Sequence, residues 1–284
     1  MLKIINAAEG IEKLFIDGNF KLELWNVYID SILPNHRNLF LEDMKDTIAS
    51  GRFNFENDYL PILNAVLINK EKIIKAVDSF AKVTASLDEK IVHTFGKTLD
   101  VTIILYVGLC NGAGWVVNLD SKQYVLLGIE KIIELDWCGI NAMYGLIYHE
   151  LGHIYQMQYG ILTRGYKGTD AFLWQLFTEG IAMYFEQRLI GDDNFFNQNV
   201  NGWLEWCDAN IYSIKIDFNN DLVNMTCGNQ RYFGDWVSYN GQSDVGYYLG
   251  ARFVQWLNKR YTFDEMIHLD VSIIRVEMDS YLNY

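Results

Sequence analysis

Residues 140 to 160 read INAMYGLIYHELGHIYQMQYG, a long apolar run with a helical repeat. Its only charged or imidazole side chains are His149, Glu150 and His153. A helix this apolar must be buried, and a buried helix carrying three titratable groups must give them partners. A second helical run, AFLWQLFTEGIAMYFEQRLIG at 171 to 191, is equally apolar and can supply both a packing face and an inward-pointing carboxylate.

The remainder of the chain can furnish the core that such a pair needs. It has 284 residues, of which 50% are hydrophobic, and 15% are aromatic, mostly core rings. Residues 19 to 95 are mainly helical in pattern. RNLFLEDMKDTIASG ends at Gly51, and SLDEKIVHTFG opens with Ser86 and Glu89 at capping-box spacing and closes at Gly96. The period then changes to that of strands: VTIILYVGL (101 to 109), a turn-like Asn111-Gly112, GWVVNL and YVLLGIE. The loop from Gly160 to Asp170 reads as a solvated connector. Beyond 191, GYYLGARFVQWLNKRY is helical and Thr262 with Glu265 marks a further capping box. The expected organisation is an N-terminal helical region (1–95), a core with the sheet and both apolar helices (96–190) and a helical C-terminal part (191–284), within one continuous folded unit.

Charge and cysteine usage exclude several function classes. The net charge is -13 and no Lys/Arg cluster interrupts it, so no nucleic-acid partner is expected. No uncharged apolar run reaches the ~20 residues of a membrane span. Glu9, Glu12 and Lys13 interrupt the place of a signal-peptide core. Cys110, Cys138, Cys207 and Cys227 contain no Cys-x-x-Cys pair and read as free thiols. Together these point to the cytoplasm.

The spacing His-Glu-x-x-His carries specific chemistry. Residues four apart on a helix stand one above the other, about 6 Å along the axis, so His149 and His153 can converge on one ion. Glu150 is rotated roughly 100° from His149, which suits a carboxylate reaching a water on that ion. Leu146, Ile147, Leu151, Ile154 and Tyr155 supply an apolar surround. A hydrolytic zinc needs three protein ligands and one open position. Asp170 is a possible third ligand, although the start of a helix is also where an aspartate caps. Glu179 in FTEGIAMYFE is the better candidate. Glu186, seven residues further on and on nearly the same face, is a reserve ligand, an acceptor for a ligand histidine's far nitrogen or, most simply, a surface charge.

With HELGH and TEGIAMYFE in place, the chain resembles the gluzincins, zinc metallopeptidases in which a helix-borne Glu completes the site. It is similar to a bacterial group of gluzincin-type zinc-dependent proteases and to the catalytic domain of aminopeptidase-N-type enzymes, with the motifs confined to residues 101 to about 257. The metzincin pattern is excluded, because Gln156 and Tyr159 stand where that class has Gly and His. The resemblance implies an α+β zincin-like fold, mostly helical with a small twisted sheet whose edge strand borders the cleft. It implies one Zn2+ held by His149, His153 and Glu179, with Glu150 as general base, and a peptide or protein substrate. VGYYLGARFVQWL matches the Tyr-x-x-Gly of the aminopeptidases, which gives Tyr247, or the adjacent Tyr248, the oxyanion-stabilising role and Gly250 the glycine. Two departures stand out. NGAGWVVN replaces the aminopeptidase Gly-x-Met-Glu-Asn motif, leaving Glu130 as a substitute carboxylate, and Met183 occupies the place of the aspartate that orients a ligand histidine in thermolysin-like enzymes. Two further classes are compatible with the same motif: a non-catalytic zinc-bearing binding or regulatory protein on a peptidase scaffold, and a structural zinc site with four protein ligands.

Overall fold

A computed structural model of the chain, describing residues 1–51 and 53–284, shows an α+β protein, mostly helical, with one small mixed sheet. The chain divides into two compact units, Met1–Ile147 and Tyr148–Tyr284.

The first unit opens with strand β1 (Lys3–Asn6), a two-stranded ribbon of β2 (Phe15–Ile16) and β3 (Asn19–Phe20), and five helices: α1 (Leu22–Ile32), α2 (Arg37–Ala49), α3 (Leu60–Ile68), α4 (Lys70–Thr84) and α5 (Leu87–Phe95). Strands β4 (Val101–Tyr106), β5 (Gly114–Leu119) and β6 (Lys122–Gly128) follow, then α6 (Ile129–Glu134). The sheet order is β1-β4-β6-β5, parallel between β1 and β4 and between β4 and β6, antiparallel between β6 and β5. Strand β4 lies inside the sheet and is buried along almost its whole length, which explains a continuous β-branched run in place of alternation. Strand β5 is an edge of the sheet, opposite β1, with its side chains mostly half-exposed, so of GWVVNL and YVLLGIE it is GWVVNL that lies at a border.

Two local expectations are corrected. Asn111-Gly112 does not turn a hairpin between β4 and β5, because β6 lies between those strands. The hairpin turn is Asp120-Ser121, both at positive φ (49° and 61°), as a two-residue turn between twisted strands requires. Asn111 is instead drawn toward α2, donating from Nδ2 to the carboxylate of Asp43 at 2.7 Å. Ser86 sits in the left-handed region and makes no side-chain cap, so the capping box read at Ser86 and Glu89 does not form. The box at Thr262 and Glu265 does, with both reciprocal bonds present.

Glu130 begins α6 and is 1% exposed. Its carboxylate accepts the backbone N–H groups of Gly108 (2.8 Å) and Cys110 (3.1 Å) and so holds the loop between β4 and β5. A Cβ at Gly108 would lie 2.6 Å from this carboxylate, which is why the loop needs glycine there. Both oxygens are engaged in fixing the first unit's own backbone, a structural task rather than the substitute substrate-binding role considered from sequence.

The second unit is helical. It takes in the second half of α7 (Ile140–Tyr159), then α8 (Thr169–Ile190), α9 (Trp203–Asp221), α10 (Val245–Leu257), α11 (Phe263–Met266) and α12 (Val271–Leu282). The segment joining α7 and α8 is pinned more firmly than a solvated connector. Ile161 N donates to Ile267 O at 2.9 Å, Trp174 Nε1 to Leu162 O at 2.7 Å, and the Tyr166 hydroxyl to Asp270 at 2.9 Å. Among the described residues, no helix is long and apolar enough to cross a membrane.

Burial pushes the pKa of Glu130 up to about 7, with the backbone donors pulling the other way. A carboxyl with a raised folded-state pKa binds its proton more tightly folded than unfolded. Its ionisation therefore lowers stability as pH rises from the ordinary carboxylate range through about 7. The expected outcome is that native stability falls by up to about 3 kcal/mol from this group between pH 5 and pH 8. Glu130→Gln, which cannot ionise, should lose that component of the pH dependence; urea denaturation at the two pH values checks it.

Candidate metal centre

The helices of the second unit meet through glycines. A Cβ built on Gly152 of α7 would stand 2.6 Å from Ala182 Cα of α8. One built on Gly180 of α8 would stand 2.3 Å from the carbonyl oxygen of Gly250 of α10, and one on Gly250 would stand 2.6 Å from Leu176 O. No side chain fits these crossings, so α7, α8 and α10 approach backbone to backbone. Each glycine lies within three residues of a sequence-predicted site residue: Gly152 precedes His153, Gly180 follows Glu179, and Gly250 is one turn past Tyr247.

The result is a converging group of side chains. His149, His153 and Glu179 each offer one ligand atom, all within 4.8 Å of one another. Oε2 of Glu179 lies 3.1 Å from His149 Nε2 and 3.4 Å from His153 Nε2. Donor atoms around a tetrahedral ion with bonds near 2.0–2.1 Å are separated by about 3.3 Å. The two imidazoles stand nearly perpendicular, centroids 4.9 Å apart. Two nitrogens and one carboxylate oxygen form a donor set suited to a divalent transition metal. Among the described residues this is the three-residue group that can hold a metal ion.

The polar groups around the triad are buried and not all paired. His153 Nδ1 and Glu186 Oε1 are buried without a hydrogen-bond partner. Glu186 is 1% exposed, which overturns its reading as a surface charge, and its Oε2 is 3.9 Å from His149 Nδ1. Burial raises its pKa well above the ordinary carboxylate value. Burial likewise raises Glu150, against the opposing pull of both histidines. At Glu179 burial acts upward too, but the two imidazoles outweigh it and hold the carboxyl well below the usual range. At His153 burial acts to lower the pKa, and the adjacent Glu179 reverses this into a net rise.

Tyr247 stands on the first turn of α10 with its ring 5.6 Å from the His149 ring, and Phe233 packs on its other side at 5.6 Å. Burial, followed by the charges of Glu179, Asp244, Glu150 and Asp235, raises its pKa well above the ordinary phenol value, so it keeps its proton. Tyr248 points elsewhere: its hydroxyl donates to Asp208 at 2.6 Å. Asp170 is also apart from the group, in the first turn of α8, where it pairs with Arg275. The N-cap of that helix is Gly168, so Asp170 is not a capping residue. All four cysteines are free.

Sequence reasoning missed Phe233. Its ring lies against the backbone of Gly246, where a Cβ would stand 2.5 Å away, and an aromatic residue in a loop without periodicity carries no signal of that contact. Gln156 was seen only as a departure from another motif. It is fully buried and donates to Ile161 O at 2.9 Å, tying the end of the histidine helix to the segment that follows.

No protein-family model, curated protein or solved structure matches the chain.

The glycine crossings yield a direct expectation. Gly180→Ala should destabilise the protein by about 3 kcal/mol, because the obstructing atoms belong to backbone and cannot rotate away. Gly191→Ala, at a position where a Cβ meets nothing within 4 Å but φ is +83°, should cost less, about 1 kcal/mol. Thermal or urea unfolding of the two variants decides the order.

Proposed function

We propose that the chain is a zinc-dependent peptidase of gluzincin type on a zincin-like scaffold, hydrolysing bonds in a peptide or protein substrate. The observation that carries this reading is the convergence of His149, His153 and Glu179 from two packed helices, with the buried Glu150 next to His149 on the same helix. His149, His153 and Glu179 would hold the ion. When bound, zinc supplies Lewis acidity toward a carbonyl oxygen and makes water more acidic.

The chain's own groups account for the proton movements. Glu150, whose proton affinity is raised by burial, accepts a proton from the attacking water and returns it to the leaving amine. Tyr247, held protonated, donates a hydrogen bond to the oxygen on which negative charge develops. The apolar residues around the motif, Ile147, Leu151 and Ile154 among them, are fully buried and exclude competing water. The presence of Glu150 favours turnover over a binding role, since metal retention alone does not need that carboxylate.

The test begins with metal analysis of the purified protein, which should return one zinc per chain. Glu179→Ala should abolish that uptake. Glu150→Gln should retain zinc while losing peptide cleavage by about 100-fold or more. Tyr247→Phe should lose about 100-fold in kcat, with Tyr248→Phe near native. A zinc-free native protein, or equal cleavage by the native chain and Glu150→Gln, overturns the reading.

A further inference from the structure

Glu186 follows Glu179 by seven residues on α8, two helical turns, and therefore lies on nearly the same face. It is 1% exposed, among the deepest carboxylates of the chain. Its Oε1 has no hydrogen-bond partner among the described residues. An unpartnered buried carboxylate costs stability, and a small apolar change would remove it, so its position calls for a physical explanation.

The explanation lies in the His149 ring. Nε2 of that ring faces Glu179 at 3.1 Å, and Nδ1, on the other side, faces Glu186 at 3.9 Å. One imidazole thus stands between two carboxylates borne by the next helix. If Nε2 is the ligand atom, Nδ1 must carry the hydrogen, and a buried N–H requires an acceptor. A side-chain adjustment of about 1 Å brings Glu186 to hydrogen-bond distance. His153 differs in this respect, for its Nδ1 is buried without any partner. Met183, one turn past Glu179 on the same helix, has no acceptor to offer.

We propose that Glu186 is the positioning residue for His149: it accepts the Nδ1 hydrogen, fixes the tautomer and aims Nε2 into the triad. This rests on the reading that the triad holds zinc. The role places the orienting carboxylate on the same helix as Glu179, two turns further on.

The experiment uses the full-length protein and its Glu186→Met and Glu186→Gln variants. Zinc affinity is measured by competition with a chromophoric chelator, the absorption spectrum of the cobalt-substituted protein reports ligand geometry, and thermal unfolding in excess EDTA reports the metal-free fold. For Glu186→Met the expected result is a metal-free melting temperature at or above native, with zinc affinity weakened about 10- to 100-fold. Glu186→Gln, which keeps an acceptor oxygen, should recover most of that affinity but still shift the cobalt spectrum. Native affinity and native spectra in both variants overturn the proposal, as does a fall in metal-free stability with affinity unchanged. If Glu186→Met does not fold, Glu186→Gln decides alone: an unshifted cobalt spectrum at native affinity overturns the proposal. A native protein that takes up neither zinc nor cobalt overturns the underlying functional reading instead.

Discussion

Backbone-to-backbone contact between helices is the constraint on which the rest of the second unit depends. Ordinary helix pairs stand 8–10 Å apart, separated by interlocking side chains. At Gly152, Gly180 and Gly250 that separation collapses, because at each point a single added carbon would run into main chain. The short reach of a glutamate can then span from α8 to two imidazoles on α7, and a tyrosine on α10 can lie against one of them. The glycines carry no chemistry, yet they set the distances in which the chemistry is possible.

The second consequence is electrostatic. Glu150, Glu179 and Glu186 bring three carboxylates into a low-dielectric region shared with the imidazoles of His149 and His153. Burial and the neighbouring carboxylates act together here: His153, Glu150 and Glu186 all hold protons more tightly than they would in water. A divalent ion bound by the triad would take over this compensation and release protons as it entered. His153 Nδ1 and Glu186 Oε1 are in addition buried without hydrogen-bond partners.

How much of this was legible in the sequence depends on how local the cause is. The two apolar helices, the β4 strand and the stacking of His149 on His153 follow from periodicity and four-residue spacing, whereas Glu179 could be read only as a carboxylate in need of a partner on the second apolar helix. The sheet order was not legible. Strand β1, four residues far from β4 in sequence, joins it in parallel, and β6 inserts between β4 and β5. Such pairings are set by tertiary packing, and the two-residue turn at Asp120-Ser121, with no glycine to mark it, went unread. Ser86 shows the same limit at the scale of one residue, since a favourable capping spacing cannot act once the backbone is left-handed. The burial of Glu186 was hidden because a glutamate near the end of an apolar helix usually reaches solvent, and only the neighbouring elements decide that it does not.

Stability alone would not select this arrangement. Helix α8 is buried along most of its length, and leucine or methionine at 179 and 186 would pack there without the desolvation that two carboxylates incur. Replacing buried ionic groups by apolar ones of similar volume is often neutral or stabilising, so the folded state has nothing to gain from keeping them. The carboxylates are also not scattered: they flank the two nitrogens of a single ring, and that ring is in turn packed by Tyr247 and, beyond it, Phe233. A packing accident has no reason to place an acid on each side of an imidazole and leave one of them unpartnered. A group of donors that could hold an ion through Nε2, with the ring held by Nδ1, has a reason for both.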